Sequence, residues 1–377
     1  MRIRVVVVGG GVVLGASCAP PGVEVAGPIA TGTTPNDVVL GSCEGESVAL
    51  VTASGDARLD VLVLDGSDDA PRAVFLDEGS QPWMVDVDLD GARAVVSLFG
   101  TNEVALVSPC EERVLARAQA DVVFDVDPPL TLRDAADADG DGQSEISVTR
   151  MRPRSPQAVA VVDDAVFVTF TNIFAFASGD DPMLTGPGSL ARFVIDGDEL
   201  RFVDVLTLPC ENPGGIASNG VDVVVTCSGR FIVSGAGHQR QSPGGVVVVD
   251  VAGSSIRGSI SLPDFSPGTP AFVGTDVVVG NLLGGELRRY GPELVQVDSV
   301  VLGSDNESIF SVVPLGDDVA ATLFLGGGLV LSPFGTRVDV PVAAAGPARG
   351  LIDVVIDDDA ALGLLTLSAQ LVRVELP

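Results

Sequence analysis

The stretch "GSQPWMVDVDLDGARAVVSLFGTNEVALVS", residues 79–108, decides the fold. Pro82 opens an alternating run, Asp90-Gly91 provides a tight turn, and "ARAVVSLF" follows as a second strand. After a polar corner at 100–102, "EVALVS" forms a third alternating run. Asp-Gly between alternating apolar runs is a strong β-hairpin signal. The stretch therefore predicts three consecutive antiparallel strands.

Comparable openings recur along the chain, at Pro35, Pro82, Pro156, Pro213, Pro270, Ser308 and Pro347. Successive openings are 47, 74, 57, 57, 38 and 39 residues apart. A repeat of roughly 40 residues with four strands is typical of a propeller blade, and longer spacings indicate blades with insertions. We therefore expect an all-β fold, a β-propeller of seven four-stranded blades over residues 34–377. Seven units of one period argue against the other architecture considered, a pair of β-sandwiches.

The last unit lacks one outer strand, because only "AQLVRVELP" follows "AALGLLTL". We expect residues 18–33, which include "GVEVAGPIA", to act as a tether and to supply the closing strand. Pairing of the two termini would remove the edges that an open sheet exposes.

The unit 79–108 resembles the YVTN-type β-propeller repeat. The resemblance depends on the opening Pro82, the Asp-Gly turn and the pattern N-x-V-x-x-V at Asn102, Val104 and Val107. It implies the fold far more than an activity, because propellers support many functions.

Composition and charge narrow the classes of partner. The 45 Gly and 25 Pro fit many short strands joined by turns. A formal net charge of −30 argues against nucleic acid, whose phosphates need clustered cations, and against docking on anionic lipid through surface charge. We expect a soluble, self-repelling monomer.

The N-terminus predicts export. Arg2 and Arg4 precede an apolar run that is too short to span a bilayer, so residues 1–17 are interpreted as a signal peptide. The small residues 15–17 lead into Cys18 and resemble a bacterial lipoprotein lipobox, with Leu14 one place earlier than that pattern has it. We expect lipidation at Cys18 and an outer-membrane lipoprotein of a Gram-negative envelope, periplasmic or surface-exposed.

The chain has four further cysteines, Cys43, Cys110, Cys210 and Cys227. An even number in an exported chain indicates disulfides, and four cysteines can pair in three ways. Cys210 and Cys227 are the closest in sequence and are the candidate disulfide. Two buried free thiols are the alternative.

The stretch "DADGDGQSE" predicts a metal site in the largest insertion, at about 120–154. Aligned with the EF-hand loop, its candidate ligands are Asp137, Asp139, Asp141, Gln143 and Glu145. Val148 stands where the EF-hand has its bidentate Glu, and no flanking helices are evident. The acid at position 9 instead resembles the short calcium loops of integrin-type FG-GAP propeller repeats.

Clustered carboxylates repel one another unless a cation neutralises them, and flexible all-oxygen ligation favours Ca²⁺. We expect a structural calcium ion. The alternative is a solvated acidic loop that pairs in part with nearby arginines.

Three long insertions are expected on one face of the propeller, where binding residues usually lie. The candidate ligand-face residues there are His238, Arg240, Arg150, Arg152 and Arg154. The arginine run is suited to a carboxylate or phosphate; ion pairing with neighbouring acids is the alternative. His238, the sole histidine, is interpreted as a surface residue, so no catalytic residue is assigned.

The leading hypothesis is a non-catalytic, lipid-anchored propeller that binds a protein, peptide or glycan or acts as a scaffold. The alternative is an envelope hydrolase or lyase that uses His238 and carboxylates of the central channel. A purely structural envelope component is the third hypothesis.

Overall fold

The computed structural model describes residues 29–64, 72–88, 91–133, 145–175, 184–234, 237–252, 255–303, 307–342, 350–357 and 360–376. Within these residues the chain is built from β-strands, and the single helical segment is a 3₁₀ turn at Ser54–Asp56. The expected signal peptide and Cys18 lie outside the described residues. Nowhere in the described part of the chain is a helix long and apolar enough to cross a membrane.

The strands form seven four-stranded antiparallel sheets, which are the blades, and three small hairpins. The first strand is β1 (Ile29–Ala30). Blade 1 contains β2 (Pro35–Cys43), β3 (Glu46–Ala53), β4 (Arg58–Val63) and β5 (Arg72–Phe75). Blade 2 contains β6 (Pro82–Val87), β7 (Ala94–Leu98), β8 (Glu103–Ser108) and β9 (Arg113–Ala118). The first hairpin follows, with β10 (Phe124–Arg133) and β11 (Glu145–Met151).

Blades 3 and 4 each carry a hairpin between their second and third strands. Blade 3 contains β12 (Pro156–Val162), β13 (Ala165–Phe170), the hairpin β14 (Ile173–Ala175) and β15 (Leu184–Thr185), β16 (Pro187–Asp196) and β17 (Glu199–Glu211). Blade 4 contains β18 (Pro213–Ser218), β19 (Asp222–Cys227), the hairpin β20 (Phe231–Ser234) and β21 (Gly237–Arg240), β22 (Gly244–Asp250) and β23 (Ser255–Leu262).

The last three blades carry no such hairpin in the described ranges. Blade 5 contains β24 (Ala271–Val273), β25 (Asp276–Gly280), β26 (Glu286–Tyr290) and β27 (Gln296–Val301). Blade 6 contains β28 (Val312–Leu315), β29 (Asp318–Leu323), β30 (Gly328–Leu331) and β31 (Val338–Pro341). Blade 7 contains β32 (Leu351–Asp357), β33 (Ala360–Leu365) and β34 (Gln370–Glu375), with β1 as its outer strand. The prediction of an all-β, seven-bladed propeller is confirmed.

The core consists of seven apolar clusters, each between two neighbouring blades. The second strands are buried on both faces because each blade packs between two others. Leu50 of β3, for example, faces blade 2, and its neighbour Val51 faces blade 7. This explains why the inner strands read as continuous apolar runs, and the cluster between blades 1 and 7 completes the ring.

The N-terminal strand lies on the edge of blade 7. Ile29 is paired with Leu371 and Ala30 with Gln370, both antiparallel. The next backbone amide, of Thr31, donates to the carbonyl of Ala369 at 3.0 Å. The outer edge of β34 is therefore covered by the opposite end of the chain.

The blade openings match the sequence at Pro35, Pro82, Pro156 and Pro213, but not in blades 6 and 7. There the first strands begin at Val312 and Leu351, four residues after the predicted Ser308 and Pro347. In blade 6 the reason is the packing of the preceding residues. Ser308 and Ser311 make isolated bridges to blade 5, and Ile309 between them is fully buried.

Two disulfides join neighbouring blades. Cys43, at the end of β2, is bonded to Cys110, in the turn between β8 and β9. Cys210 of β17 is bonded to Cys227 of β19. The first bond thus connects blades 1 and 2, and the second connects blades 3 and 4.

Candidate functional site

The three hairpin insertions lie at one end of the propeller. Strands in a blade alternate in direction, so the turn between the second and third strands lies at the same end as the connection to the next blade. Hairpin β10–β11 lies in such a connection, and hairpins β14–β15 and β20–β21 lie in such turns. We call this end the insertion face.

A pocket of about 440 Å³ opens on the insertion face, between blades 2 and 3. Its walls come from the corner of blade 2, from both sides of the base of hairpin β10–β11, and from β14. The lining residues are Thr101, Asn102, Gln119, Ala120, Asp121, Arg150, Met151, Arg152, Pro153, Arg154 and Phe174. We call it the Arg154 pocket, and its volume is within the roughly 300–1,000 Å³ typical of small-molecule sites.

Two asparagines fix the segment that carries the arginines. Asn102 Oδ1 accepts a hydrogen bond from the backbone amide of Ser155 at 2.7 Å. Asn172 Oδ1 accepts one from the backbone amide of Arg154 at 2.9 Å, and the backbone N–H of Asn172 donates to the backbone carbonyl of Arg154 at 3.0 Å. Both asparagines have left-handed backbone conformations, with φ of 59° and 52°, which Asn tolerates better than most residues. The pocket floor is therefore held by blades 2 and 3 together.

The three arginines of the pocket differ in their partners. Arg150 pairs with Asp125 at 3.3 Å, and Arg152 pairs with Asp121 at 2.7 Å. The guanidinium of Arg154 instead lies 4.8 Å from the centre of the Phe174 ring. Among the described residues, Arg154 has no acidic partner. The alternative that these arginines pair with neighbouring acids therefore holds for Arg150 and Arg152. It does not hold for Arg154, whose charge no described acid balances.

The other two candidate ligand-face residues lie over blades 4 and 5. His238 is paired with Val233 in hairpin β20–β21. Arg240 donates from Nε to Ser266 Oγ at 3.1 Å and from an Nη to the carbonyl of Pro263 at 3.2 Å. Burial lowers the pKa of Arg240 from its ordinary value. The five candidates therefore form two groups, because Arg240 is not among the described residues that line the Arg154 pocket and His238 belongs to the same hairpin as Arg240.

Three carboxylates, of which Asp37 and Asp353 are buried and Asp86 is half-buried, connect the innermost strands of four successive blades. Each bonds to the backbone amide of the next innermost strand: Asp353 to Val38 at 3.1 Å, Asp37 to Val85 at 2.8 Å, and Asp86 to Val161 at 2.7 Å. These amides lie on the strand edge that has no partner within its own sheet. The carboxylates satisfy donors that would otherwise be left unpaired next to the channel.

Burial raises the pKa of all three acids. For Asp37 it places the pKa well above the usual value, and the neighbouring Asp353 carboxyl raises it further. The pKa of Asp353 is raised mainly by burial. Burial also raises the pKa of Asp86 to about 6, against the opposing effect of its two backbone hydrogen bonds. A side-chain hydrogen bond between Asp37 and Asp353 raises the pKa of Asp37 and opposes the rise in the pKa of Asp353.

These acids lack the freedom that a general acid needs, because each has an oxygen committed to a backbone amide. In the described ranges, no three or more His, Cys, Asp or Glu side chains are grouped so that they could hold a metal ion. We interpret the channel acids as contacts that close the ring.

The candidate calcium loop lies at the tip of hairpin β10–β11. Asp137, Asp139, Asp141 and Gln143 fall in 134–144, outside the described residues, and only the backbone of Glu145 is described, paired with Arg133. The segments that flank the loop are strands and not helices, which agrees with the departure from the EF-hand seen in the sequence.

No family model and no curated protein matches the chain. Several solved structures are similar in fold. A structure of catalytically inactive virginiamycin B lyase from Staphylococcus aureus with quinupristin has a TM-score of 0.60 at 10% identity, over 93% of this chain and 98% of that chain. A streptogramin B lyase structure has a TM-score of 0.59 at 10% identity, over 92% of this chain and 95% of that chain.

A chain in the crystal structure of a mitotic checkpoint complex is also similar, with a TM-score of 0.59 at 13% identity, over 97% of this chain and 99% of that chain. At such identities the likeness shows the fold alone. The chain is a seven-bladed β-propeller, and proteins with unrelated functions share this architecture.

The sequence pattern did not predict Thr101 and Phe174, which line the pocket, or Asn172, which holds the backbone of Arg154. Phe174 lies in the apolar run "IFAF" within a polar insertion, which is a weak signal that part of the insertion packs onto something. Asn172 occupies the corner after the second strand of blade 3, as Asn102 does in blade 2. Comparison of the two corners would have found it.

Proposed function

We propose that the protein is an exported β-propeller that acts as a binding module through its insertion face. The observation that carries this proposal is the position of all three hairpins on that face, with the Arg154 pocket at the base of the first. Long loops on a rigid scaffold are where binding usually resides. The partner class is a protein, peptide or glycan of the cell envelope, with scaffolding as the consequence of that binding.

Export and anchoring are part of this proposal. The two disulfides support an oxidising compartment, because structural disulfides persist in secreted and envelope proteins. The signal-like residues 1–17 and Cys18 support a lipid anchor in the outer membrane. Detergent partitioning of the wild type and of Cys18→Ala tests the anchor, and equal partitioning of the two would exclude it.

A hydrolase or lyase with its active site in the channel is the second candidate. The raised pKa values of Asp37, Asp353 and Asp86 favour it, since such carboxyls can donate a proton near neutral pH. The likeness to streptogramin B lyase structures concerns the fold and adds little. Binding ranks first because the acids are occupied by backbone amides, whereas Arg154 is available to a ligand.

The binding proposal predicts that removal of hairpin β10–β11 abolishes capture of an envelope partner. A variant with residues 124–151 replaced by a short Gly-Ser linker should fold, because the hairpin is an insertion between complete blades. Affinity capture from the native envelope, followed by cross-linking, measures the effect. The control is the pair Asp163→Arg and Asp317→Arg, exposed in the turns of the opposite face. Undiminished capture by the deletion variant, or loss of capture in the control, would contradict the proposal.

We also propose a structural Ca²⁺ at the tip of this hairpin, held by Asp137, Asp139, Asp141, Gln143 and Glu145. The expected affinity is weak, on the order of 10⁻⁴ to 10⁻³ M, because the bidentate acid of the EF-hand is absent. Calcium at about 100 times its dissociation constant should stabilise the fold by roughly 2.7 kcal/mol if binding requires the folded loop.

Thermal melts with calcium or chelator measure this gain. Asp139→Ala should abolish it, and His238→Ala is the control that should retain it. Limited proteolysis of residues 130–150 should be faster in chelator. Identical melting and cleavage in both conditions would show that the loop is a solvated acidic segment.

A further inference from the structure

The Arg154 pocket contains one positive charge that the described residues do not balance. Arg150 and Arg152 are each paired with a carboxylate, whereas Arg154 lies against an aromatic ring. The whole chain carries a formal net charge of −30, so an isolated cation on its surface is an exception to the general pattern. A ligand with one negative charge would balance the pocket. A phosphate monoester, which carries close to two charges, would leave an excess of negative charge in a field that already repels anions.

The orientation of Arg154 suits a planar anion. The guanidinium carbon of Arg154 lies over the ring of Phe174, 4.8 Å from its centre, and this contact uses none of the N–H groups in a hydrogen bond to an acid. A guanidinium edge matches a carboxylate through two parallel hydrogen bonds, with a geometry that lysine does not reproduce. Because Asn172 bonds to both the amide and the carbonyl of Arg154, the backbone of this residue is already held in place. Less freedom is therefore lost on binding.

The rest of the pocket indicates what the carboxylate is attached to. Met151, Ala120, Pro153 and Phe174 form an apolar part of the lining. Thr101 Oγ1 is buried and has no hydrogen-bond partner among the described residues, so a ligand amide or hydroxyl would satisfy it. We infer that the Arg154 pocket binds a small organic monocarboxylate with an apolar body and one polar group. This inference rests on the proposed function, because it names what part of the insertion face recognises.

N-acetylphenylalanine has these features, and its amide is a neutral molecule of nearly the same shape. Binding is measured by NMR on protein labelled at the methionine methyl groups. Met151 lines the pocket, whereas the half-buried Met84 packs against the apolar clusters of blades 2 to 4, does not line the pocket and is the internal control. The acid should shift the Met151 signal in a saturable way and leave Met84 unchanged. The amide and inorganic phosphate should each bind at least roughly tenfold more weakly, the difference expected for one charge-assisted contact.

Three variants locate the contact. Arg154→Gln should weaken binding of the acid by roughly tenfold or more. Arg154→Lys should recover only part of that loss, because lysine keeps the positive charge but lacks the planar pair of N–H donors of the guanidinium. Arg113→Gln removes one positive charge from an exposed position on β9, outside the pocket, and should bind as the wild type does. Unchanged melting temperatures establish that the variants are folded.

Equal affinity for acid and amide, tighter binding of phosphate, or no saturable Met151 shift with the acid would each overturn the inference. An Arg154→Gln variant with wild-type affinity would do the same. The proposed function fails on a different result, the retention of envelope capture after removal of hairpin β10–β11, so the two failures are distinguishable.

Discussion

Replacing Cys43 and Cys110 together by alanine is expected to lower the free energy of unfolding by about 4 kcal/mol. The bond closes a loop with a sequence separation of 67 residues, and the loop-entropy relation gives roughly this value for a loop of that length. Blades 1 and 2 are also joined by apolar contacts, by the hydrogen bond from the Ser42 amide to the Gly91 carbonyl and by that from the Val85 amide to Asp37. The disulfide adds a covalent bond across their interface.

Urea unfolding of the oxidised wild type and the double variant measures this difference. The matched control replaces Cys210 and Cys227, which are separated by 17 residues, and should cost about 3 kcal/mol by the same relation. The ranking of the two losses in unfolding free energy is a sharper test than either value alone. Each variant replaces two cysteines by alanines at a blade junction, so the variants differ mainly in the length of the loop that the bond closes. Equal midpoints for the wild type and the Cys43/Cys110 variant would show that this bond contributes nothing. A larger effect for the shorter loop would contradict the entropic explanation.

The second large effect is a dependence of stability on pH that originates at Asp86. Its pKa is raised from 3.8 to about 6 in the folded protein, so the folded state holds the proton more tightly than the unfolded state does. This stabilisation is fully present below the unfolded value of 3.8 and is lost as the pH rises through about 6. The loss is up to about 3 kcal/mol, from the size of the shift.

Asp86→Asn cannot ionise and should not show this loss. We therefore expect the stability of the wild type relative to Asp86→Asn to fall by up to about 3 kcal/mol between acidic pH and pH 7, the same linkage estimate. Asp163→Asn, an exposed turn acid, is the control and should follow the wild type. Urea midpoints across the pH range give the comparison. Parallel curves for the wild type and Asp86→Asn would show that the carboxyl titrates normally.

Asp37 and Asp353 should contribute in the same direction, because burial raises the pKa of each. Their hydrogen bonds connect strands at the two ends of the chain, Asp353 in blade 7 and the amide of Val38 in blade 1. The hydrogen bond from the Val38 amide to Asp353 is therefore part of what joins the first blade to the last.

The architecture was predictable where the signal is local. The run "EVALVS" corresponds to β8 at Glu103–Ser108, and the opening proline of blade 2 is the first residue of β6. Alternation and turn chemistry act over a few residues, so they can be read without knowledge of the neighbours. The first strands of blades 6 and 7 begin four residues later than predicted, and in blade 6 the reason is the packing of Ile309 against blade 5 ahead of the strand.

The site was predictable only in part. The arginine run predicts ligand-binding residues within 150–154, and its three arginine side chains line one pocket. Which arginine is left without an acid depends on Asp121 and Asp125, and on Phe174, twenty residues further along. The sequence predicts His238 and Arg240 on the same face as the arginine run, and the structure places them at blades 4 and 5, away from it.

By itself, the sequence determined the strands, the repeat and the number of blades, because hydrophobic alternation and tight turns are properties of neighbouring residues. Only the tertiary structure decided that Asp353 meets Val38, 315 residues away, that Cys43 meets Cys110, and that Thr101 meets Arg154 in one pocket. These contacts arise when the ring closes and brings distant segments together. Closure of the ring buries carboxyl groups, which raises their pKa. It also decides which acids lie beside each arginine. The local sequence pattern contains neither kind of information.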